Sequence, residues 1–142
     1  MTPSSSSEPR AKIFILDDSR TFLAVARVHL EAEGFVVLTF DSPLGISREI
    51  IRHQPDMVIV DVNMPSISGD KVCQLVRSSS FARSVTVLLH SSLPESELGR
   101  LAIHCGADGF VPKSSDSRVL IEAVHKHLSC RRRLFVQPSK PA

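Results

Sequence analysis

The sequence predicts an α/β fold, a doubly wound, five-stranded parallel sheet with helices on both faces. Short, wholly apolar runs recur along the chain, as parallel strands buried on both faces require. Segments with apolar residues at helical spacing lie between them, so strand and helix alternate five times with short linkers. A length of 142 residues, 42% apolar and 23% charged, suits one ordinary globular domain, and no internal repeat divides it.

The elements follow in order. Residues 1–10 are Ser- and Pro-rich, offer nothing to bury, and are expected to be disordered. The domain is expected over residues 11–130. Its strands are read at Ile13-Phe14-Ile15-Leu16, Phe35-Val36-Val37-Leu38, Met57-Val58-Ile59-Val60, Val85-Thr86-Val87-Leu88-Leu89 and, more weakly, Gly109-Phe110-Val111. Phe22, Leu23, Ala26 and Leu30 mark one face of a first helix that stops at Gly34. Asp41-Ser42-Pro43 predicts a cap and first-turn proline for a second helix over Leu44 to Arg52. A third helix is read around Asp70 to Arg77. A fourth starts from a capping box at Ser92-Leu93-Pro94-Glu95 and ends at Gly106. The fifth runs from about Asp116 to Leu128, and residues 131–142 read as a basic, Pro-containing tail or the start of a linker.

Net charge is +2, but from Arg118 onward six basic residues face Glu122 alone. A solvated tail explains that bias better than a nucleic-acid surface. Cys73, Cys105 and Cys130 are odd in number, widely spaced and without a CxxC, which favours reduced thiols over a disulfide framework or zinc site. No signal peptide and no membrane-length apolar run is legible, so a soluble, cytoplasmic protein is expected.

Ligands of doubly wound sheets bind at the C-terminal ends of the strands. There the chain places Asp17 and Asp18 after the first strand, Asp61 after the third, Ser91 and Ser92 after the fourth, and Lys113 after the fifth. Singly, each has a plain reading: an acid pair makes a turn, Ser92 caps a helix, a lone lysine is solvated. Together they raise a charge problem, because three neighbouring carboxylates repel unless they take up protons or a cation sits among them. An all-oxygen donor set suits Mg²⁺ rather than zinc, and a metal plus a lysine facing an aspartate suits phosphoryl transfer. The six histidines have no spacing that makes a metal site.

These residues resemble the response-regulator receiver domain. The acid pair appears in Ile15-Leu16-Asp17-Asp18-Ser19. The acceptor segment is similar to Asp61-Val62-Asn63-Met64-Pro65-Ser66-Ile67-Ser68-Gly69. The hydroxyl position matches Ser91-Ser92, and the switch aromatic and lysine match Phe110 and Lys113. The resemblance spans about Lys12 to Leu128 and implies a flavodoxin-like sheet. It departs from the family in Ser91 where many members have Thr, in Ser92 for a smaller residue, in Phe110 for Tyr, and in Pro112 preceding Lys113 where a proline commonly follows.

The resemblance implies that Asp61 is the phosphoacceptor, that Lys113 and Ser91 assist, and that Ser91 and Phe110 form the switch. It implies Mg²⁺ at Asp17, Asp18, Asp61 and the backbone carbonyl of Asn63. The donor would be a histidine kinase or phosphotransfer protein, and the chain would catalyse only its own phosphorylation and dephosphorylation. Output would pass to a protein partner, or to a second copy, through the fourth helix, fifth strand and fifth helix, with Arg100, His104, Asp108 and Arg118 around Phe110. No specific nucleic-acid binding and no membrane partner is expected. Two alternatives stay open: a pseudo-receiver that binds partners without phosphorylation, and a haloacid-dehalogenase-like phosphatase, whose nucleophile would however follow its first strand.

Overall fold

A computed structural model describes residues 10–136 apart from 66, 80, 81 and 83, and only the backbone of 131–136. The disorder expected of the N-terminal segment therefore concerns residues outside the described ones, Arg10 excepted, as does the tail beyond Val136. The elements are β1 (Lys12–Leu16), α1 (Arg20–Ala32), β2 (Val36–Phe40), α2 (Ile46–His53), β3 (Met57–Asp61), α3 (Gly69–Ser78), β4 (Thr86–Ser91), α4 (Glu95–Cys105), β5 (Gly109–Pro112) and α5 (Ser117–Val136). The strands form one parallel sheet in the order β2-β1-β3-β4-β5. The five-stranded, doubly wound sheet read from the sequence is the observed one.

Strand alternation divides the core in two. Phe14, Leu16, Val58, Val60, Val87 and Leu89 face α2, α3 and α4, where they meet Ile46, Ile50, Val72, Val76, Leu98 and Ala102. Ile13, Ile15, Met57, Ile59 and Leu88 face α1 and α5, where they meet Leu23, Ala26, Leu30, Leu120 and Val124. Ile13 to Leu16 are all 0% exposed, which is why this strand reads as an unbroken apolar run.

Two helix starts differ from the sequence reading. α2 begins at Ile46 rather than Leu44, because Gly45 takes a left-handed conformation and the Ser42 hydroxyl closes its own local turn with Leu44 N–H at 3.2 Å. α4 has Pro94, not Ser92, at its N-cap, with no side-chain cap. α5 continues to Val136, beyond the end of its apolar periodicity at Leu128.

One side chain joins α3 to the ends of α4 and β4. Arg77 donates to Gly106 O and Val85 O, both at 2.7 Å, and to the Asp108 carboxylate. Asp108 Oδ2 also accepts from Val87 N–H at 2.8 Å. Asp108 is thus occupied by the scaffold rather than offered to a partner. Arg77→Met should lower stability by about 1–3 kcal/mol, since it strips donors from the partly buried Val85 carbonyl, the Gly106 carbonyl and the Asp108 carboxylate. Urea unfolding followed by circular dichroism should show a lower midpoint at unchanged slope, and an unchanged midpoint would refute this role.

Candidate functional site

The strand ends bring the predicted acids together. Asp61 closes β3, and Asp17 and Asp18 follow β1 directly. One oxygen from each carboxylate lies within 4.8 Å of the others, with Asp17 and Asp61 buried and Asp18 exposed. Lys113, immediately after β5, places Nζ at 3.4 Å from Asp61 Oδ1 and 3.7 Å from Asp17 Oδ2. Two like charges at such a separation repel by roughly 3 kcal/mol at an effective dielectric of about 20. One ammonium group cannot offset three carboxylates.

Backbone donors fix where these groups point. Ser19 N–H donates to Asp17 Oδ1 at 2.9 Å, while the Ser19 hydroxyl accepts from Phe22 N–H at 3.2 Å and caps α1. The same serine therefore orients an acid and starts a helix. Asn63 N–H donates to Asp61 Oδ1 at 3.1 Å. Gly69, the first residue of α3, sits so close to this loop that a Cβ would lie 2.5 Å from Asp61 O. Lys113 N–H donates to Ser91 O at 2.9 Å, which ties the lysine loop to the end of β4.

One polar atom is left over. Asp17 Oδ2 is buried without a hydrogen-bond partner. Burial pushes the Asp17 carboxyl above its ordinary value of 3.8, and Asp61 and Asp18 add to the rise, while Ser19 N–H and Lys113 oppose it. An orphaned buried carboxylate oxygen beside two further carboxylates is a donor set short of a cation, and its hard oxygens suit Mg²⁺. The residues present fit that ion.

Of the remaining predicted residues, Ser91 is 0% exposed and its hydroxyl accepts from Leu93 N–H at 3.0 Å. The helix cap expected of Ser92 is not made: Ser91 closes a local turn instead, and Ser92 stays exposed. Asn63 is exposed, with its N–H on Asp61. Phe110 is half-buried against the α2–α3–α4 core, and a Cβ on Gly99 of α4 would stand 3.5 Å from its ring. Arg100 and His104 line a shallow groove on α4 around the exposed Ile103, and Arg118 is held by Asp116 at 3.1 Å. Sequence reasoning missed His90. It is 4% exposed, its Nδ1 lies 4.0 Å from Asp17 Oδ2, and its strand position pairs with Asp61. A histidine directly after the apolar run Val87-Leu88-Leu89, one step before Ser91, was the available signal.

A doubly wound parallel sheet carrying an acid cluster and a lysine at its C-terminal edge defines an α/β domain with an acidic, cation-ready pocket where such sheets bind their ligands. Comparison with known proteins makes this specific. The profile of the response regulator receiver domain matches residues 13–125. Protein PilG of Pseudomonas aeruginosa is 28% identical over 120 residues, covering 82% of this chain and 87% of PilG. Protein RcaC of Microchaete diplosiphon is 33% identical over 102 residues, covering 72% of this chain but only 16% of RcaC. Among solved structures, the chemotaxis response regulator CheY4 of Vibrio cholerae superposes with a TM-score of 0.77 at 23% identity, over 83% of this chain and 98% of CheY4. That last likeness establishes the fold. The chain belongs to the response regulator receiver domain family, and it is the receiver domain of a two-component response regulator. Among the described residues no helix is long and apolar enough to cross a membrane.

The raised Asp17 pKa has a stability consequence. The folded state holds this proton to higher pH than the unfolded chain, so its contribution is complete below 3.8 and is lost as pH rises through the shifted value. Without divalent metal, Asp17→Asn should therefore raise the melting temperature at neutral pH. The gain should shrink as the pH falls towards 3.8. A variant no more stable than wild type at neutral pH would contradict the strained-acid reading.

Proposed function

We propose that this domain accepts a phosphoryl group on Asp61 from a phosphohistidine of a histidine kinase or phosphotransfer protein, and relays the change through α4, β5 and α5. The observation that carries the reading is the pairing of buried Asp61 with Lys113 at 3.4 Å, beside the partnerless oxygen of Asp17. Asp17, Asp18, Asp61 and the Asn63 backbone carbonyl would hold Mg²⁺, which when bound neutralises charge on the phosphoryl oxygens. An oxygen of Asp61 forms the new bond to phosphorus as the bond to the donor imidazole breaks, and the imidazole leaves with a proton from solvent. Asn63 N–H holds the carboxylate in place for that attack, and Lys113 turns from the carboxylates to the phosphoryl oxygens. Hydrolysis of the resulting acyl phosphate ends the signal, so turnover is confined to the chain's own modification.

Switching follows from Ser91 and Phe110. The Ser91 hydroxyl, held by Leu93 N–H in this state, would leave it to donate to a phosphoryl oxygen. Movement of the β4–α4 turn then opens space beside Gly99 for the Phe110 ring. This is a local charge change biasing a bistable region. The exposed Arg100, Ile103 and His104 of α4 offer the surface that a protein partner or second copy would read. The cysteines Cys73, Cys105 and Cys130 are free, in keeping with a reducing cytoplasm.

Incubation with a small-molecule phosphodonor and Mg²⁺ should add one phosphoryl group to wild type by intact mass and none to Asp61→Asn. Equal labelling of both would move the site, and an unlabelled wild type would leave a phosphorylation-independent interaction module. Ser91→Ala and Lys113→Ala should still be labelled, because neither supplies the nucleophile. Their amide shifts in α4 and β5 on phosphorylation should shrink, and a full-sized response in the lysine variant would remove Lys113 from the switch.

A further inference from the structure

We infer that His90 is a positioning residue for the acid cluster, its Nδ1–H serving as the donor that holds Asp17 Oδ2 once Lys113 is engaged with a phosphoryl group. The inference rests on the proposed function and adds a residue that it does not contain. Leu88 and His90 point to the same side of β4, towards α1 and α5, but Leu88 meets apolar core whereas His90 ends under the acids. Its ring stacks on Phe22 of α1, with centroids 4.9 Å apart and planes at 27°. Phe22 N–H is in turn the donor that Ser19 uses to cap α1, and Ser19 N–H holds the other oxygen of Asp17. The histidine and the capping serine thus approach one carboxylate from two sides.

Charge and donor counting give the histidine its task. Asp17 Oδ1 has the Ser19 N–H, and Oδ2 has nothing within hydrogen-bond reach. Two nitrogens face it, Lys113 Nζ at 3.7 Å and His90 Nδ1 at 4.0 Å. If Lys113 swings to phosphoryl oxygens, His90 is the nitrogen that remains. The ring is only 4% exposed and stacked on Phe22, a place where a charged imidazolium would be costly. A neutral imidazole offers one N–H, and opposite a carboxylate oxygen that can only accept, the proton belongs on Nδ1. Such a donor orients Asp17 without adding a positive charge that would repel a cation. The gap of 4.0 Å exceeds hydrogen-bond length by about 1 Å, which a modest ring or carboxylate rotation closes.

Two measurements on the full chain test this. Nitrogen NMR of the imidazoles, with divalent metal chelated, should report His90 as the Nδ1-protonated tautomer, and its signals should move in Asp17→Asn. An Nε2-protonated ring overturns the inference. Mg²⁺ affinity, read from amide shifts, should fall about tenfold in His90→Leu, the scale on which groups supporting metal ligands act. In His90→Asn, whose amide N–H can take the place of Nδ1–H, affinity should stay within about twofold of wild type. Unchanged affinity in the leucine variant, or equal losses in both variants, would assign His90 to packing alone. Failure of wild type to bind Mg²⁺ would overturn the proposed function instead, and the tautomer, read without metal, still decides whether His90 donates to Asp17.

Discussion

Like-charge repulsion at one edge of the sheet is the constraint on which the rest depends. Asp17, Asp18 and Asp61 are held within 4.8 Å by backbone that cannot separate them, since two of them extend neighbouring parallel strands. Folding the apo chain therefore stores unfavourable electrostatics in a buried place. The signs of it are the orphaned Asp17 oxygen, a carboxyl that resists ionisation, and a lysine drawn between two acids without a close bond to either. A site in that condition gains from any cation and from any reaction that redistributes the charge. Binding and chemistry then act on the same stored term.

The remainder of the domain is what makes such a cluster tolerable. Two apolar layers grip the sheet from both sides, so the carboxylates stand on strands that cannot shift. Gly69 lets α3 start directly against the Asp61 carbonyl, where a side chain would force the two apart. At the opposite end of the sheet, Arg77 and Asp108 pin α3, α4 and β4 together. The pinned end of α4 is its C-terminus, whereas Ser91 and Leu93 lie just before its N-terminus. The N-terminal end of α4, nearest the acids, lies outside this anchor.

Much of this was legible in the sequence because the strands are short, buried on both faces and followed at once by the acids. Alternation of apolar runs with helical segments placed Asp17, Asp18, Asp61, Ser91 and Lys113 on one edge without any coordinates. Capping was less legible. Ser42 and Ser92 carry the residue types of caps, yet the Ser42 hydroxyl closes its own turn and α4 starts without a side-chain cap, because local side-chain bonds compete with helix starts. His90 was hidden for a different reason. Its role depends on the register of β3 with β4 and on a ring reaching across to Phe22, and neither is written in the spacing of one segment.

On this reading the three carboxylates form one hard-cation site around Asp61. Paramagnetic Mn²⁺ in trace amounts, a stand-in for Mg²⁺, tests it most directly by broadening the amide signals nearest the bound ion. The signals of Asp17, Asp18, Asp61 and Asn63 should be lost selectively and restored by excess Mg²⁺. Broadening centred elsewhere, or broadening that excess Mg²⁺ does not reverse, would contradict it.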